Sequence, residues 1–158
     1  MAEAQTLPAL GILASLPETV RLRLAEAGRF ITLPKGAPLV TQGHPQDHLY
    51  VLLSGKLSAT IHSPRSSIEL GAIMPGESVG EMNVIDPAKA SADVVAQIES
   101  KIWGISKEAF DRLLEADTEV GYAVMTALAT LLTRRIRRNS DKMLRQAEQQ
   151  RAYYEWLD

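Results

Sequence analysis

The pattern of hydrophobic and polar positions divides the 158-residue chain into three regions. In residues 1–28 a partial apolar face predicts short N-terminal helices. In residues 29–105 short apolar runs alternate with turn residues every several positions, which predicts strands. In residues 106–158 the apolar spacing becomes helical again, and no proline after Pro87 would stop a helix. The predicted order is therefore N-terminal helices, a β domain and C-terminal helices.

The middle region predicts a jelly roll. Leu57, Ala59 and Ile61 alternate with polar neighbours, as in a strand with one buried face. Turn residues separate many short strands, and they include Lys35-Gly36, Ser54-Gly55 and Pro75-Gly76. Such a succession is typical of a sandwich or a jelly-roll β-barrel. We therefore predict a mainly β fold, a jelly-roll β-barrel with flanking helices and a long C-terminal helix.

The C-terminal region predicts a dimerisation helix. Ser106 is expected to cap a short helix and Asp117 a second one, which would run about 40 residues at ~1.5 Å each. Such a rod is too long to bury against a small barrel alone. A 4-3 spacing indicates the seam of a two-helix coiled coil, at Ala129, Leu132, Ile136, Asn139, Met143, Gln146, Gln150, Tyr153 and Leu157. We predict a homodimer through this helix; a helix folded back on its own barrel is the alternative.

The same helix contains the basic run Arg134-Arg135-Ile136-Arg137-Arg138. A run of this kind is compatible with a nucleic-acid or membrane contact. The net charge of −2 favours a solvated helical face instead, compensated by Asp141, Glu148 and nearby acids of the barrel. We therefore predict no direct nucleic-acid contact and no membrane contact from this chain.

Composition and motifs argue against catalysis. The absence of cysteine excludes disulfides, thiolate metal sites and thiol nucleophiles. The sequence holds no G-x-S-x-G elbow, no P-loop and no H-E-x-x-H motif, and its three histidines fall on separate turns and strands. We predict that the protein is no enzyme and has neither a metal site nor a cofactor. The first residues resemble neither a signal peptide nor a membrane span, which predicts a cytoplasmic location.

Two segments carry a family resemblance: "GRFITLPKGAPLVTQGHPQDHLYVLLSGKLSATI" and "ELGAIMPGESVGEMNVID". Together they resemble the cyclic nucleotide-binding domain family, which includes the catabolite activator protein and regulatory subunits of cyclic-nucleotide-dependent kinases. The resemblance implies an eight-stranded jelly roll whose ligand, cAMP or cGMP, lies over a short helix and loop. This phosphate-binding cassette corresponds to residues 80–96.

The resemblance also implies roles for cassette residues. Gly80 would permit close approach of the backbone to the ligand, and Glu81 would accept a hydrogen bond from the ribose 2′-hydroxyl. Met82, Val84 and Ile85 would tether the short helix to the barrel. The expected ligand-binding residues are Gly80, Glu81, Met82, Asn83, Lys89, Ala90, Ser91 and Ala92.

The sequence departs from the family pattern where the phosphate would bind. The family places an arginine there, whose planar fork can pair with two phosphate oxygens, but the corresponding residue is Ala90. Lys89 would supply a point charge if the loop shifts by one residue, and Ser91 a hydroxyl. Asp93 would repel an anion if its carboxylate faces the pocket.

Three functional hypotheses follow. The first is a sensor module that couples ligand binding in the barrel to the C-terminal helix, and acts on an effector protein. The second is a degenerate, ligand-free scaffold for dimerisation or protein interaction. The third is the sensory part of a transcription regulator, because regulators of this family carry a DNA-binding domain after the long helix and none is present before Asp158.

Overall fold

A computed structural model describes residues 6–157. Residues 1–5 and Asp158, which belong to the predicted terminal regions, lie outside the described residues, as do the side chains of Glu155 and Leu157. A 3-10 helix (Gly11–Ser15) precedes helix α1 (Glu18–Ala27). The remaining helices are α2 (Glu81–Ile85), α3 (Lys107–Ala116) and α4 (Thr118–Leu157).

Ten strands form two four-stranded antiparallel sheets and one two-stranded ribbon. The strands are β1 (Arg29–Leu33), β2 (Pro38–Val40), β3 (Pro45–Gln46), β4 (His48–Ser54), β5 (Leu57–His62), β6 (Ser67–Ile73), β7 (Ser78–Val79), β8 (Ala88–Lys89), β9 (Asp93–Ala96) and β10 (Ser100–Ser106). The strand orders are β1-β10-β4-β7, β2-β9-β5-β6 and β3-β8. The predicted jelly roll with flanking helices and a long C-terminal helix is confirmed, although its sheets do not close into a barrel.

Two hydrophobic clusters position the functional part of the molecule. The larger cluster joins β4 and β10 to the helices, and Val84 of α2 packs in the same cluster as Val124 and Leu128 of α4. The smaller cluster includes Leu52 and Ala90, and it lies between the sheets. Helix α2 and helix α4 therefore share one core, while the second half of the cassette belongs to another.

The predicted caps of the C-terminal helices are confirmed. The Ser106 hydroxyl accepts a hydrogen bond from the Ala109 N–H at 3.2 Å. A carboxylate oxygen of Asp117 accepts from the N–H groups of Glu119 and Val120, both at 3.1 Å. These bonds satisfy donors that the first turn of each helix leaves without an intrahelical partner. The second helix continues for 40 residues, the length that the sequence predicts.

Helix α4 leaves the body of the domain part of the way along its length. Val120, Val124 and Leu128 are buried in the larger cluster. From Ile136 onward every side chain that the structure describes is exposed. No described helix combines the length and the apolar character that crossing a membrane requires.

Candidate ligand-binding site

The cassette begins with a glycine that no other residue could replace without strain. Gly80 precedes α2 and has a φ of +81°, in the left-handed region. A Cβ atom at this position would also overlap the His48 carbonyl oxygen. Directly after this turn, the Val84 N–H donates to the Gly80 carbonyl at 3.0 Å. The glycine therefore sets the direction in which the short helix leaves β7.

Helix α2 is anchored by one apolar side chain. Val84 is fully buried in the larger cluster, whereas Met82 is 61% exposed and Ile85 is 39% exposed. The expectation that all three residues tether α2 is thus confirmed for Val84 and wrong for Met82 and Ile85. A five-residue helix has about one and a half turns, so only one of these positions faces inward.

Glu81 is a buried carboxylate bound on two sides. Only 3% of the residue is exposed, and its Oε2 accepts a hydrogen bond from the Ser78 hydroxyl at 3.3 Å. Its Oε1 forms an ion pair with an Nη atom of Arg135 in α4. The other Nη of Arg135 donates to the Ser78 carbonyl at 3.1 Å. A buried carboxylate needs such partners, because an uncompensated buried charge is costly.

Arg135 lies between the solvent and the body of the domain. Its side chain is 36% exposed. Partial burial lowers the pKa of its guanidinium, the charge of Glu77 opposes that shift, and repulsion by Arg138 adds to it. An arginine nevertheless stays protonated in proteins, so Glu81 faces a permanent cation.

The basic run was expected to form a solvated face compensated by Asp141, Glu148 and nearby acids of the barrel. Arg135 does pair with a nearby acid, Glu81, but the expected solvation is wrong for this residue, because its side chain is partly buried against the domain. One signal could have identified it. Val124, Leu128 and Leu131 form an apolar stripe at helical spacing, and Arg135 continues the stripe four residues later. A charged residue on the inner stripe needs a buried partner.

A cavity of about 430 Å³ lies between the cassette, the second sheet and α4. This volume falls within the range of roughly 300–1,000 Å³ that is common for small-molecule sites. Seven of the eight predicted ligand-binding residues line it: Gly80, Glu81, Met82, Asn83, Ala90, Ser91 and Ala92. The eighth, Lys89, is exposed in the β3–β8 ribbon opposite Pro45 and is not among the lining residues.

The phosphate end of the cassette carries no cation. Ala90 is 7% exposed and packs in the smaller hydrophobic cluster. Its N–H donates to the His44 carbonyl and its carbonyl accepts from the Gly43 N–H, both at 2.8 Å. Ala90 therefore offers neither charge nor a free N–H to an anion. The Ser91 hydroxyl lines the cavity and has no hydrogen-bond partner among the described residues.

Asp93 does not face the cavity. One carboxylate oxygen accepts from the Gln42 N–H at 2.6 Å, and the other lies 3.0 Å from Nε2 of His62. The residue is absent from the cavity lining. The repulsion that Asp93 would exert on an anion from inside the pocket therefore does not apply.

Helix α4 supplies the positive charge of the cavity. Arg135, Arg138 and Lys142 line it together with Asn139. None of these residues was predicted for the ligand site, because the contact joins segments about fifty residues apart. Among residues 6–157 no group of three or more histidine, aspartate or glutamate side chains could hold a metal ion.

Comparisons with known proteins agree with this geometry. Residues 30–117, more than half of the chain, match the family model "Cyclic nucleotide-binding domain". The crystal structure of the catabolite activator protein of Thermus thermophilus is 29% identical in sequence, with a TM-score of 0.71 over 81% of this chain and 58% of that one.

Two curated relatives extend the comparison. An uncharacterized NTE family protein of Mycobacterium tuberculosis is 31% identical over 121 residues, which cover 77% of this chain and 20% of the relative. A cAMP-dependent protein kinase regulatory subunit of Aspergillus niger is 28% identical over 103 residues, which cover 65% of this chain and 25% of the relative. The chain thus spans a fifth to a quarter of the length of these relatives. The chain belongs to the cyclic nucleotide-binding domain family.

Proposed function

We propose that this chain is a regulatory module that binds a cyclic nucleotide, cAMP or cGMP, in the cavity and transmits binding to α4. The observation that carries the proposal is the ion pair between Glu81 of the cassette and Arg135 of α4. It joins the residue expected to bind the ribose to the helix expected to carry the signal. The proposed action is binding, without catalysis, in the cytoplasm.

Coupling follows from competition for one carboxylate. A ribose hydroxyl that donates to Glu81 shares that carboxylate with Arg135 and Ser78. Ligand binding therefore changes the strength of the contact between α2 and α4. Val84 and Leu128 provide a second link, since both pack in the larger hydrophobic cluster. A ligand that favours one arrangement of these contacts shifts a two-state equilibrium by its difference in affinity.

Calorimetric titration with cAMP, cGMP and cyclic dinucleotides tests ligand binding. We expect binding by the wild type and weaker binding by Glu81→Gln, which preserves the size of the side chain. Circular dichroism of each variant controls for folding. Hydrogen exchange with and without ligand then tests coupling, and altered protection in residues 129–145 is the expected result. A folded protein that binds none of these ligands would support the ligand-free scaffold instead.

The exposed part of α4 favours self-association. Large apolar side chains are exposed there, including Ile136, Met143, Tyr153 and Trp156. Three of them, Ile136, Met143 and Tyr153, occupy seam positions of the predicted coiled coil. We therefore propose a homodimer through α4. If the module binds no ligand, this dimerisation would itself be its function. The apolar residues toward the end of α4 also fit an effector protein, and a role as the sensory part of a transcription regulator is a further alternative.

A further inference from the structure

We infer that α4, and not the cassette, supplies the cations that bind the ligand's phosphate, through Arg138 and Lys142. This inference rests on the proposed nucleotide binding and specifies how an anion is held in the absence of the cassette arginine. The ligand class is a nucleotide with a phosphodiester group, either a cyclic mononucleotide or a cyclic dinucleotide.

The first step is the placement of these side chains. Arg138 and Lys142 are four residues apart and line the same cavity as Glu81 and Ser91. Residues at this spacing lie on one face of a helix, about 6 Å apart along its axis. Both side chains therefore lie on the side of the cavity that α4 forms.

The second step is the availability of their charges. Arg135 is already engaged by Glu81 and by the Ser78 carbonyl. Neither Arg138 nor Lys142 forms an ion pair or a side-chain hydrogen bond among the described residues. Among the described residues, three cationic and two carboxylate side chains line the cavity, so this part of the lining has a net charge of +1.

The remaining carboxylate of the lining, Glu77, acts through its charge on Arg135 and forms no ion pair with Arg138 or Lys142 among the described residues. Its Oε2 accepts a hydrogen bond from the Met74 N–H at 2.7 Å, and no ion pair joins it to a cation of α4 in the described part of the chain. An anion that enters the cavity therefore meets two unpaired cations on the side of α4.

The third step is that neither Ala90 nor Lys89 of the cassette supplies a cation to the cavity. Ala90 carries no charge and both of its backbone groups are hydrogen-bonded. Lys89 is not among the lining residues. The arrangement thus places a phosphate between Ser91 and α4, where it would order the exposed side chains of Arg138 and Lys142. Phosphate binding would then act on the output helix directly.

The test compares matched double variants of the full chain. Arg138→Gln/Lys142→Gln removes the proposed cations, and Arg137→Gln/Arg145→Gln removes equal charge from the same helix at positions outside the cavity lining. Arg138→Lys/Lys142→Arg keeps both charges. Affinities for cAMP, cGMP, cyclic dinucleotides and adenosine, which lacks a phosphate, are measured by calorimetry at one fixed salt concentration.

We expect the first variant to lose roughly ten- to a hundredfold in affinity for whichever phosphodiester ligand the wild type binds. Its affinity for adenosine should change less than about threefold, as should the cyclic-nucleotide affinity of the control variant Arg137→Gln/Arg145→Gln. The charge-conserving variant Arg138→Lys/Lys142→Arg should retain more affinity than Arg138→Gln/Lys142→Gln. The wild type's preference between mononucleotides and dinucleotides identifies which source of phosphodiester the site takes.

Two different results would overturn the inference. If the wild type binds a cyclic nucleotide and Arg138→Gln/Lys142→Gln binds it equally well, the phosphate is held elsewhere and the proposed function stands. Two other results would also show that the phosphate is not held by Arg138 and Lys142. One is an equal loss of affinity for adenosine and for cyclic nucleotides, and the other is an equal loss of affinity in the control variant Arg137→Gln/Arg145→Gln. If the folded wild type binds none of the ligands, the inference and the proposed function both fail.

Discussion

The two parts of helix α4 both contain large apolar side chains but have opposite surroundings. Before Arg135, Val124 and Leu128 are almost fully buried against the body of the domain. After it, Met143 and Leu144 are more than half exposed. The first part of the helix therefore stabilises the fold, while the second part is available for partners or ligands.

Arg135 marks the boundary between these parts. Helix geometry places it on the stripe that Val124, Leu128 and Leu131 begin, but its charge requires a carboxylate where the preceding residues require apolar neighbours. Glu81 meets that requirement from the cassette. The helix thus changes from hydrophobic to electrostatic attachment just before it leaves the domain, at the point where a ligand can act on it.

The largest difference between the two parts of α4 is expected when a leucine in each part is replaced by alanine. Leu128→Ala removes a side chain with no exposure and should lower the free energy of unfolding by about 2–5 kcal/mol. Leu144→Ala, at a residue that is 61% exposed, should change it by less than about 0.5 kcal/mol. Urea denaturation followed by circular dichroism measures both. Equal effects would mean that the second part of α4 also packs against the domain.

A substitution at Arg135 removes the electrostatic attachment at the boundary between the two parts of α4. Arg135→Gln leaves the buried Glu81 carboxylate without its cation and should cost about 1–3 kcal/mol, a range set low because the arginine is partly exposed. Arg137→Gln is the matched control and should change stability by less than about 0.5 kcal/mol.

A double-mutant cycle with Glu81→Gln isolates the pair. If the two side chains interact as the structure shows, the double variant should be more stable than the sum of the single effects predicts by at least about 0.5 kcal/mol. Additive effects would show that the ion pair contributes nothing to stability.

The local features of α4 could be predicted from the sequence. Ser106 and Asp117 are cap residues in positions that their chemistry favours, and the absence of proline after Pro87 allows an uninterrupted helix. The start of the cassette was predictable as well, because the family resemblance implies a short helix after Gly80, while the roles of Gly80 and Glu81 toward a ligand stay predictions. All these features depend on residues close together in the chain.

The contacts between distant segments could not be predicted in this way. Ser78 and Arg135 are 57 positions apart, and nothing local distinguishes Arg135 from the other arginines of its run except its place on the inner stripe. The point at which α4 leaves the body of the domain could not be predicted either, since apolar residues continue beyond it. Where a helix separates from a domain depends on the size of that domain.

Self-association should distinguish seam positions from other exposed positions. Met143 occupies a predicted seam position and Leu144 the next position outside it, and both are exposed in the single chain. Met143→Asp should weaken dimerisation by about tenfold or more, because it buries two like charges in the seam. Leu144→Asp should weaken it less than about threefold. Sedimentation equilibrium over a range of concentrations measures both, and similar losses would contradict the predicted seam.

The smallest expected effect concerns the start of α4. Asp117→Ala removes the carboxylate that accepts from two N–H groups of the first turn and should cost about 1 kcal/mol. Asp117→Asn keeps an acceptor and should recover most of that loss.

The matched control lies in the exposed part of α4. Among the described residues, the Ser140 hydroxyl donates only to the Ile136 carbonyl of its own helix. Ser140→Ala should therefore change the free energy of unfolding by less than about 0.5 kcal/mol. Urea denaturation compares the three variants. Because Val120 in the first turn belongs to the core, a loss of the cap is transmitted to the whole domain. If Asp117→Ala were as mild as Ser140→Ala, packing of Val120 alone would hold the start of α4 in place.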